Sequence, residues 1–175
     1  MQIRKEEMTD RGSVFRVIEQ AFEKEVYSDH REQFLVERLR HSNAFVAELA
    51  LVAEMEGDVV GYILLTKIRI VNERGSSTPS LALAPVAVLP KHQGNGVGGQ
   101  LIEYAHRKAV ELGFGSVVVL GHESYYPRFG YRPAREYDIR LPFEVPDENC
   151  MAVELVEGAL TNAGGVVEYA AEFGG

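Results

Sequence analysis

Two periods of apolar residues alternate along this chain, and the points where one gives way to the other outline its elements. Gln2 to Glu6 reads as a short opening strand. Val14, Phe15, Val17, Ile18, Ala21 and Phe22 then recur at helical spacing, with Thr9 or Asp10 placed to cap the helix. After a polar connection from Glu23 to Asp29, a second helix is predicted over His30–His41, with Phe34, Leu35, Val36 and Leu39 facing inward. Leu49–Met55 and Val59–Val71 form a hairpin about Gly57-Asp58, and Asn72–Pro79 is a loop of turn-forming residues. Ser80–Leu89 is apolar on both faces, as a central strand is. It carries Pro85, which has no N–H for a ladder, so the strand should bulge or splay there.

Val97, Leu101, Ala105 and Ala109 make one stripe of a helix running from about Val97 to Leu112, where Gly113 stops it. Ser116–Leu120 is an apolar strand, and Tyr125–Tyr131 is a short turn or helix. Asp138–Leu141, Met151–Val156 and Val166–Tyr169 are later strands. This order predicts an α/β chain of α+β mixed character, with a central, mostly antiparallel mixed sheet and helices on both faces. The strand–helix–strand unit around Gly94–Gly115 should be parallel, with a right-handed crossover.

Bulk properties narrow the partners. The 175 residues suffice for one domain with a real core, and no repeat or low-complexity linker divides them, so residues 1–175 are taken as a single domain. Lys and Arg number 18 against 26 Asp and Glu, a net charge of −8, which argues against a nucleic-acid partner. The longest apolar run, Leu81–Leu89, is too short to cross a bilayer, and Met1–Lys5 lacks the apolar core of a secretory signal. The one cysteine, Cys150, has no disulfide partner and reads as a small buried hydrophobe. A cytoplasmic protein with no membrane partner is expected. No Cys/His/Asp cluster has metal-ligand spacing, so no metal is predicted.

The chemistry concentrates after the central strand. Gly94, Gly96, Gly98 and Gly99 place four glycines within six residues, and they open onto an amphipathic helix. The first turn of a helix leaves backbone N–H groups unpaired, the helix dipole adds positive charge there, and glycine lets a ligand come close. Such a turn suits phosphate or pyrophosphate. A P-loop would need Lys-Ser or Lys-Thr after the second glycine, and Val97-Gly98 stands there instead. Gly94, Gly96 and Gly99 satisfy a dinucleotide fingerprint literally, with Glu123 near the distance of a ribose carboxylate. Against it, Lys91-His92-Gln93 separates strand from glycines, and only one strand–helix–strand unit is present.

The third reading is the pyrophosphate of coenzyme A. Gln93-Gly94-Asn95-Gly96-Val97-Gly98 resembles the (Arg/Gln)-x-x-Gly-x-(Gly/Ala) loop of the GNAT superfamily of acetyl-CoA-dependent N-acetyltransferases. Leu83–Pro90 is similar to the family's bulged central strand, and Tyr126-Pro127-Arg128-Phe129-Gly130-Tyr131 to its Tyr-x-x-x-Gly-Phe element, with Tyr131 in place of Phe. The order of elements resembles the family's over essentially the whole chain, least diagnostically after about residue 142. The resemblance implies a GNAT-like fold and transfer of acetyl from acetyl-CoA to a primary amine by direct attack in a ternary complex. It implies strand-like cofactor contacts at Val86, Ala87 and Val88, and pyrophosphate contacts through Gln93, Gly94, Asn95, Gly96, Val97, Gly98 and Gly99. Tyr126 is the implied acid for the departing thiolate; Tyr125, beside it, lacks the spacing to Gly130.

The chain departs from the pattern in one respect. Many relatives carry a Glu on the central strand as base, whereas Leu81–Leu89 has no carboxylate. His122, Glu123 and Glu25 are candidates, though each reads more readily as a solvated surface group or a cap, and a water chain to bulk solvent would also serve. The acceptor is expected opposite the cofactor, against the first two helices and the Asn72–Pro79 loop, as a small-molecule amine or a protein or peptide amine. Whether the chain is a homodimer is left open. The missing carboxylate keeps a non-catalytic acyl-CoA-binding module as an alternative, and the glycine spacing keeps an NAD(P)-binding oxidoreductase as a weaker one.

Overall fold

The computed structural model describes residues 1–174. Its strands are β1 (Gln2–Lys5), β2 (Ala50–Met55), β3 (Asp58–Val71), β4 (Ser77–Val88), β5 (Ser116–Leu120), β6 (Arg132–Pro133), β7 (Ile139–Arg140), β8 (Cys150–Glu154) and β9 (Gly165–Glu168). Its α-helices are α1 (Arg11–Phe22), α2 (Glu32–Leu39) and α3 (Val97–Glu111). They form one mixed sheet in the order β1-β2-β3-β4-β5-β8-β6, with β9 joined to β3 and β7. Most pairs are antiparallel; β4–β5 and β7–β9 are parallel. The expected mixed sheet with helices on both faces is the observed architecture.

Alternation along the strands sorts the core onto two faces. Leu51, Ile63, Leu65, Leu81, Leu83, Val117 and Val119 meet Leu101, Ile102, Ala105 and Ala109 of α3 on one side. Val52, Tyr62, Leu64 and Ala87 meet Val14, Val17 and Ile18 of α1 and Val36 and Leu39 of α2 on the other. Cys150 is buried among Ile139, Ala152 and Leu160, as a small hydrophobe would be, and burial pushes its thiol up to about 11.

Several expected boundaries shift for identifiable reasons. Asp10 precedes α1 but does not cap it with its side chain. Its carboxylate instead accepts from the Glu7 N–H at 2.7 Å and from the Arg4 guanidinium at 2.7 and 2.9 Å, and Arg4 holds its pKa below the usual carboxylate range. The second helix starts at Glu32, because His30 is left-handed (φ 60°) and its N–H is taken by Ser28 Oγ at 2.9 Å. β4 starts three residues early, since Asn72 Oδ1 accepts from the N–H groups of Arg74 and Ser76 and closes the turn before Ser77. β6, two residues long, was not anticipated.

Candidate active site

The site is organised by a fork in the sheet. β4 and β5 pair in parallel only at Leu81–Val117 and Ala82–Val118. Beyond Ala82, β4 continues along β3 to Val88, while β5 continues along β8 to Leu120. Pro85 sits where the two arms part. The β3–β4 register slips there, with Ile63 opposite Val86 but Leu65 opposite Leu83, so Ala84 and Pro85 together face Leu64. The extra residue is the bulge that a proline in a central strand predicts. The Ala84–Pro85 peptide is cis.

One edge of β4 is thereby left open. The Leu89 N–H donates to the Val60 carbonyl at 2.9 Å, and Ala87 stands opposite Tyr62. Alternation in an antiparallel ladder then aims the polar groups of Ala87 at β3 and those of Val86 and Val88 into the fork. The Val88 carbonyl confirms this direction: it accepts from Gln93 Nε2 at 3.0 Å rather than from a strand. Of the three strand residues picked from sequence, Val86 and Val88 thus present backbone to the fork, whereas Ala87 presents its backbone to β3 and a buried methyl to the α1 face.

The glycine turn closes the mouth of the fork on the α3 side. A 3-10 turn at Pro90–His92 leads into Gly94 and Gly96, both left-handed (φ 82° and 81°). Gly96 begins α3, and no side chain caps that end, so the first-turn N–H groups remain available to a ligand. The remaining two glycines serve a different purpose. A methyl at Gly98 would come within 3.1 Å of Tyr125 Oη, and one at Gly99 within 3.3 Å of Phe129 Cζ. They admit the aromatic turn 125–129 against the start of α3. Tyr125, set aside by its spacing, is therefore the tyrosine that touches the helix start; only the packing could reveal it.

Tyr126 lies deeper. It is 7% exposed, edge-on to Tyr125 at 5.2 Å and to Tyr131 at 5.5 Å between centroids. Its ring occupies the space where Gly121 would carry a Cβ. Burial raises its pKa, with the neighbouring Tyr125 adding to the shift, so the phenol stays protonated at neutral pH and keeps a proton to donate. Behind it, the Tyr131 hydroxyl lies 2.9 Å from His106 Nε2.

Two of the sequence candidates for a base meet across the fork. His122 Nε2 lies 3.5 Å from Glu25 Oε2. Glu25 belongs to the connection beyond α1, and its N–H bonds the Phe22 carbonyl at 3.1 Å. Glu123 is exposed on the segment that follows His122. His92 is half-buried beside the glycine turn.

Comparison with known proteins agrees with this geometry. The acetyltransferase (GNAT) family model matches residues 14–131. The uncharacterized N-acetyltransferase YhbS of Escherichia coli K12 is 30% identical over 174 residues, covering 99% of this chain and 98% of that protein. The uncharacterized N-acetyltransferase YjhQ of the same organism is 38% identical over 120 residues, 68% of this chain and 66% of that protein. Among solved structures, Escherichia coli YhbS in complex with CoA superimposes with a TM-score of 0.87 at 28% identity, over 99% of this chain and 92% of that one. A GNAT family acetyltransferase from Brucella melitensis in complex with acetyl-CoA gives 0.80 at 31% identity, over 98% and 97%. A forked sheet, an uncapped helix behind a glycine turn and a family match over most of the chain lead to one conclusion: the chain belongs to the GNAT acetyltransferase family.

Proposed function

We propose that this chain, as one N-acetyltransferase domain over residues 1–175, transfers the acetyl group of acetyl-CoA to a primary amine by direct attack in a ternary complex. The observation that carries the reading is the open edge of β4 at Val86 and Val88, leading directly to the uncapped start of α3. The first suits the amides of an extended pantetheine arm, which would add itself to the edge as a strand does. The second suits a diphosphate, bound by backbone N–H groups from Gln93 to Gly99. Acetyl-CoA supplies an activated thioester to this fork. The protein's own part is to hold that group straight, and to keep Tyr126 protonated where the departing sulfur needs a proton.

A nicotinamide dinucleotide fits less well. Its fold wants parallel strands on both sides of the crevice. Here β4 is antiparallel to β3 and parallel to β5 over only two residue pairs. No helix among the described residues is long and apolar enough to cross a membrane.

The reading is tested by ligand-dependent thermal stabilisation and by CoA release. Acetyl-CoA should raise the melting temperature where NAD and NADP do not. Free thiol should appear when an amine is added, and Tyr126→Phe should slow its release about 100-fold while the stabilisation by acetyl-CoA persists. Stabilisation by NADP alone would overturn the reading. Stabilisation by acetyl-CoA with no amine-dependent thiol release from any of a broad panel would leave an acyl-CoA-binding module in its place.

A further inference from the structure

Glu25 and His122 belong to different arms of the fork. Glu25 extends from α1, which packs on β3 and β4, whereas His122 stands two residues beyond β5. Their 3.5 Å approach therefore crosses the opening between the arms. It also lies on a definite side. Tyr126 is part of the core on the α3 face, and α1 is part of the core on the opposite face. The glycine turn that suits the diphosphate is on the α3 side as well. A thioester held in the fork is thus open to a nucleophile from the α1 side, where the pair stands.

His122 is fixed from behind. Its carbonyl accepts from the N–H groups of Tyr125 and Tyr126 at 3.1 and 3.4 Å. The preceding Gly121 is bracketed by Asn149, whose carbonyl accepts the Gly121 N–H at 2.9 Å and whose Nδ2 donates to the Gly121 carbonyl at 3.0 Å. The imidazole remains well exposed, 65% by side chain, and so can meet a substrate. Glu25 is the charged group that faces it from the other arm, and Glu123 adjoins it on its own segment.

We infer that His122 is the base that takes the proton of the incoming amine and that Glu25 positions its ring, the pair standing in for the carboxylate that β4 lacks. The inference rests on the acetyl-transfer reading above. The ammonium form of the acceptor loses one proton to Nδ1 of neutral His122, whose Nε2–H faces Glu25 Oε2, and its freed electron pair forms the C–N bond. The C–S bond breaks and the sulfur leaves with its electrons. Tyr126 supplies the proton that makes the thiol and is refilled by the second proton lost from nitrogen; His122 returns its own to solvent. One ammonium and one thioester give one amide, one thiol and one released proton.

The test uses phenethylamine, spermidine and an alanyl peptide as acceptor probes, with hydroxylamine as a nucleophile already neutral at neutral pH. His122→Gln should lower kcat for the three probes about 100-fold, remove the acid-side limb of the kcat/KM profile and leave the KM for acetyl-CoA in place. Hydroxylamine should lose less than about 10-fold, because it brings no ammonium proton to remove. Glu25→Gln should lower kcat for the three probes about 10-fold with the KM for acetyl-CoA unchanged, and Glu25→Asp should recover part of that loss. An unchanged limb in His122→Gln, or full turnover of the three probes in Glu25→Gln, would overturn the inference. Stabilisation by acetyl-CoA and the Tyr126→Phe loss report separately on the acetyl-transfer reading, so the two failures are distinguishable.

Discussion

Ser80 Oγ and Ser116 Oγ lie 2.6 Å apart at the root of the fork, one residue before the two paired positions of β4 and β5. Both residues are 1% exposed. Each hydroxyl satisfies the other where no water reaches, and together they tie the two strands that then diverge. Removing one leaves the other buried without a partner, whereas removing both leaves no polar group to satisfy. Ser116→Ala should therefore cost about 1–3 kcal/mol in urea unfolding, and Ser80→Ala/Ser116→Ala should recover most of that loss. A double variant as unstable as the sum of the singles would mean that the hydroxyls do not act on one another.

Gly121 makes room for the ring of Tyr126, the proposed proton donor. A methyl there would overlap the Tyr126 ring, and a buried ring flanked by Tyr125 and Tyr131 has little room to yield. Gly121→Ala should cost about 1–3 kcal/mol of stability through overpacking. It should also slow amine-dependent CoA release nearly as far as Tyr126→Phe, with thermal stabilisation by acetyl-CoA retained. Full turnover in a folded Gly121→Ala protein would argue that the position of Tyr126 does not matter to the chemistry.

The four glycines of the turn should respond differently to substitution. At Gly96 an added methyl meets nothing closer than Gln100 Nε2 at 3.8 Å, so Gly96→Ala is burdened by its left-handed backbone alone, about 1–2 kcal/mol. That strain falls on the N–H groups offered to the diphosphate, and it should appear as weaker acetyl-CoA binding. Gly98→Ala has ordinary backbone but crowds the Tyr125 hydroxyl. It should disturb the aromatic turn and hence turnover. Titration calorimetry with acetyl-CoA, set beside steady-state rates, separates the two outcomes.

Much of this site was legible because its signals are local. The glycines follow their strand within a few residues, the Tyr126-to-Gly130 spacing is itself only a few residues long, and each dictates its own backbone. Pro85 announced the bulge for the same reason: a missing N–H acts at its own position. The fork itself was not legible, because strands part according to which neighbour each follows, and β5 follows β8 from some thirty residues later in the chain. Glu25 and His122 could be picked out singly as titratable groups near predicted element ends. Nothing in either segment records that α1 and β5 bring them together. Asp10 misled for a related reason: its spacing fits a helix cap, but Arg4 competes for the same carboxylate and wins.

A buried ion pair ties the end of α2 to the end of β1. Arg40, just after α2, bonds Glu6, just after β1, and each side chain is 5% exposed. The Tyr62 hydroxyl donates to the same carboxylate at 3.4 Å from a fully buried ring, and burial raises its pKa, so it remains a donor. Replacing one partner strands the other charge in the core, so Arg40→Met should cost about 3–5 kcal/mol in urea unfolding. Glu6→Leu/Arg40→Met removes both charges and should be markedly more stable than Arg40→Met alone. The comparison decides whether the pair stabilises the fold or merely avoids being broken.

His106 sets the acid side of the stability profile. Its Nε2 is bonded to the Tyr131 hydroxyl, and burial pushes its pKa down to about 4. The unfolded chain, with an imidazole pKa near about 6.5, takes up a proton before the folded one does. Stability from this group is therefore complete above about pH 6.5 and drains away as the pH falls toward about 4, by an amount on the order of 2–3 kcal/mol. Asp10 acts lower down. Arg4 depresses its carboxyl, so its contribution is present above the ordinary carboxylate range and lost only beneath it. His106→Gln keeps a polar partner for Tyr131 and removes the titration. Urea midpoints measured at about pH 7 and pH 5 should then differ less in His106→Gln than in the wild type. An equal acid loss in both proteins would place the sensitive group elsewhere.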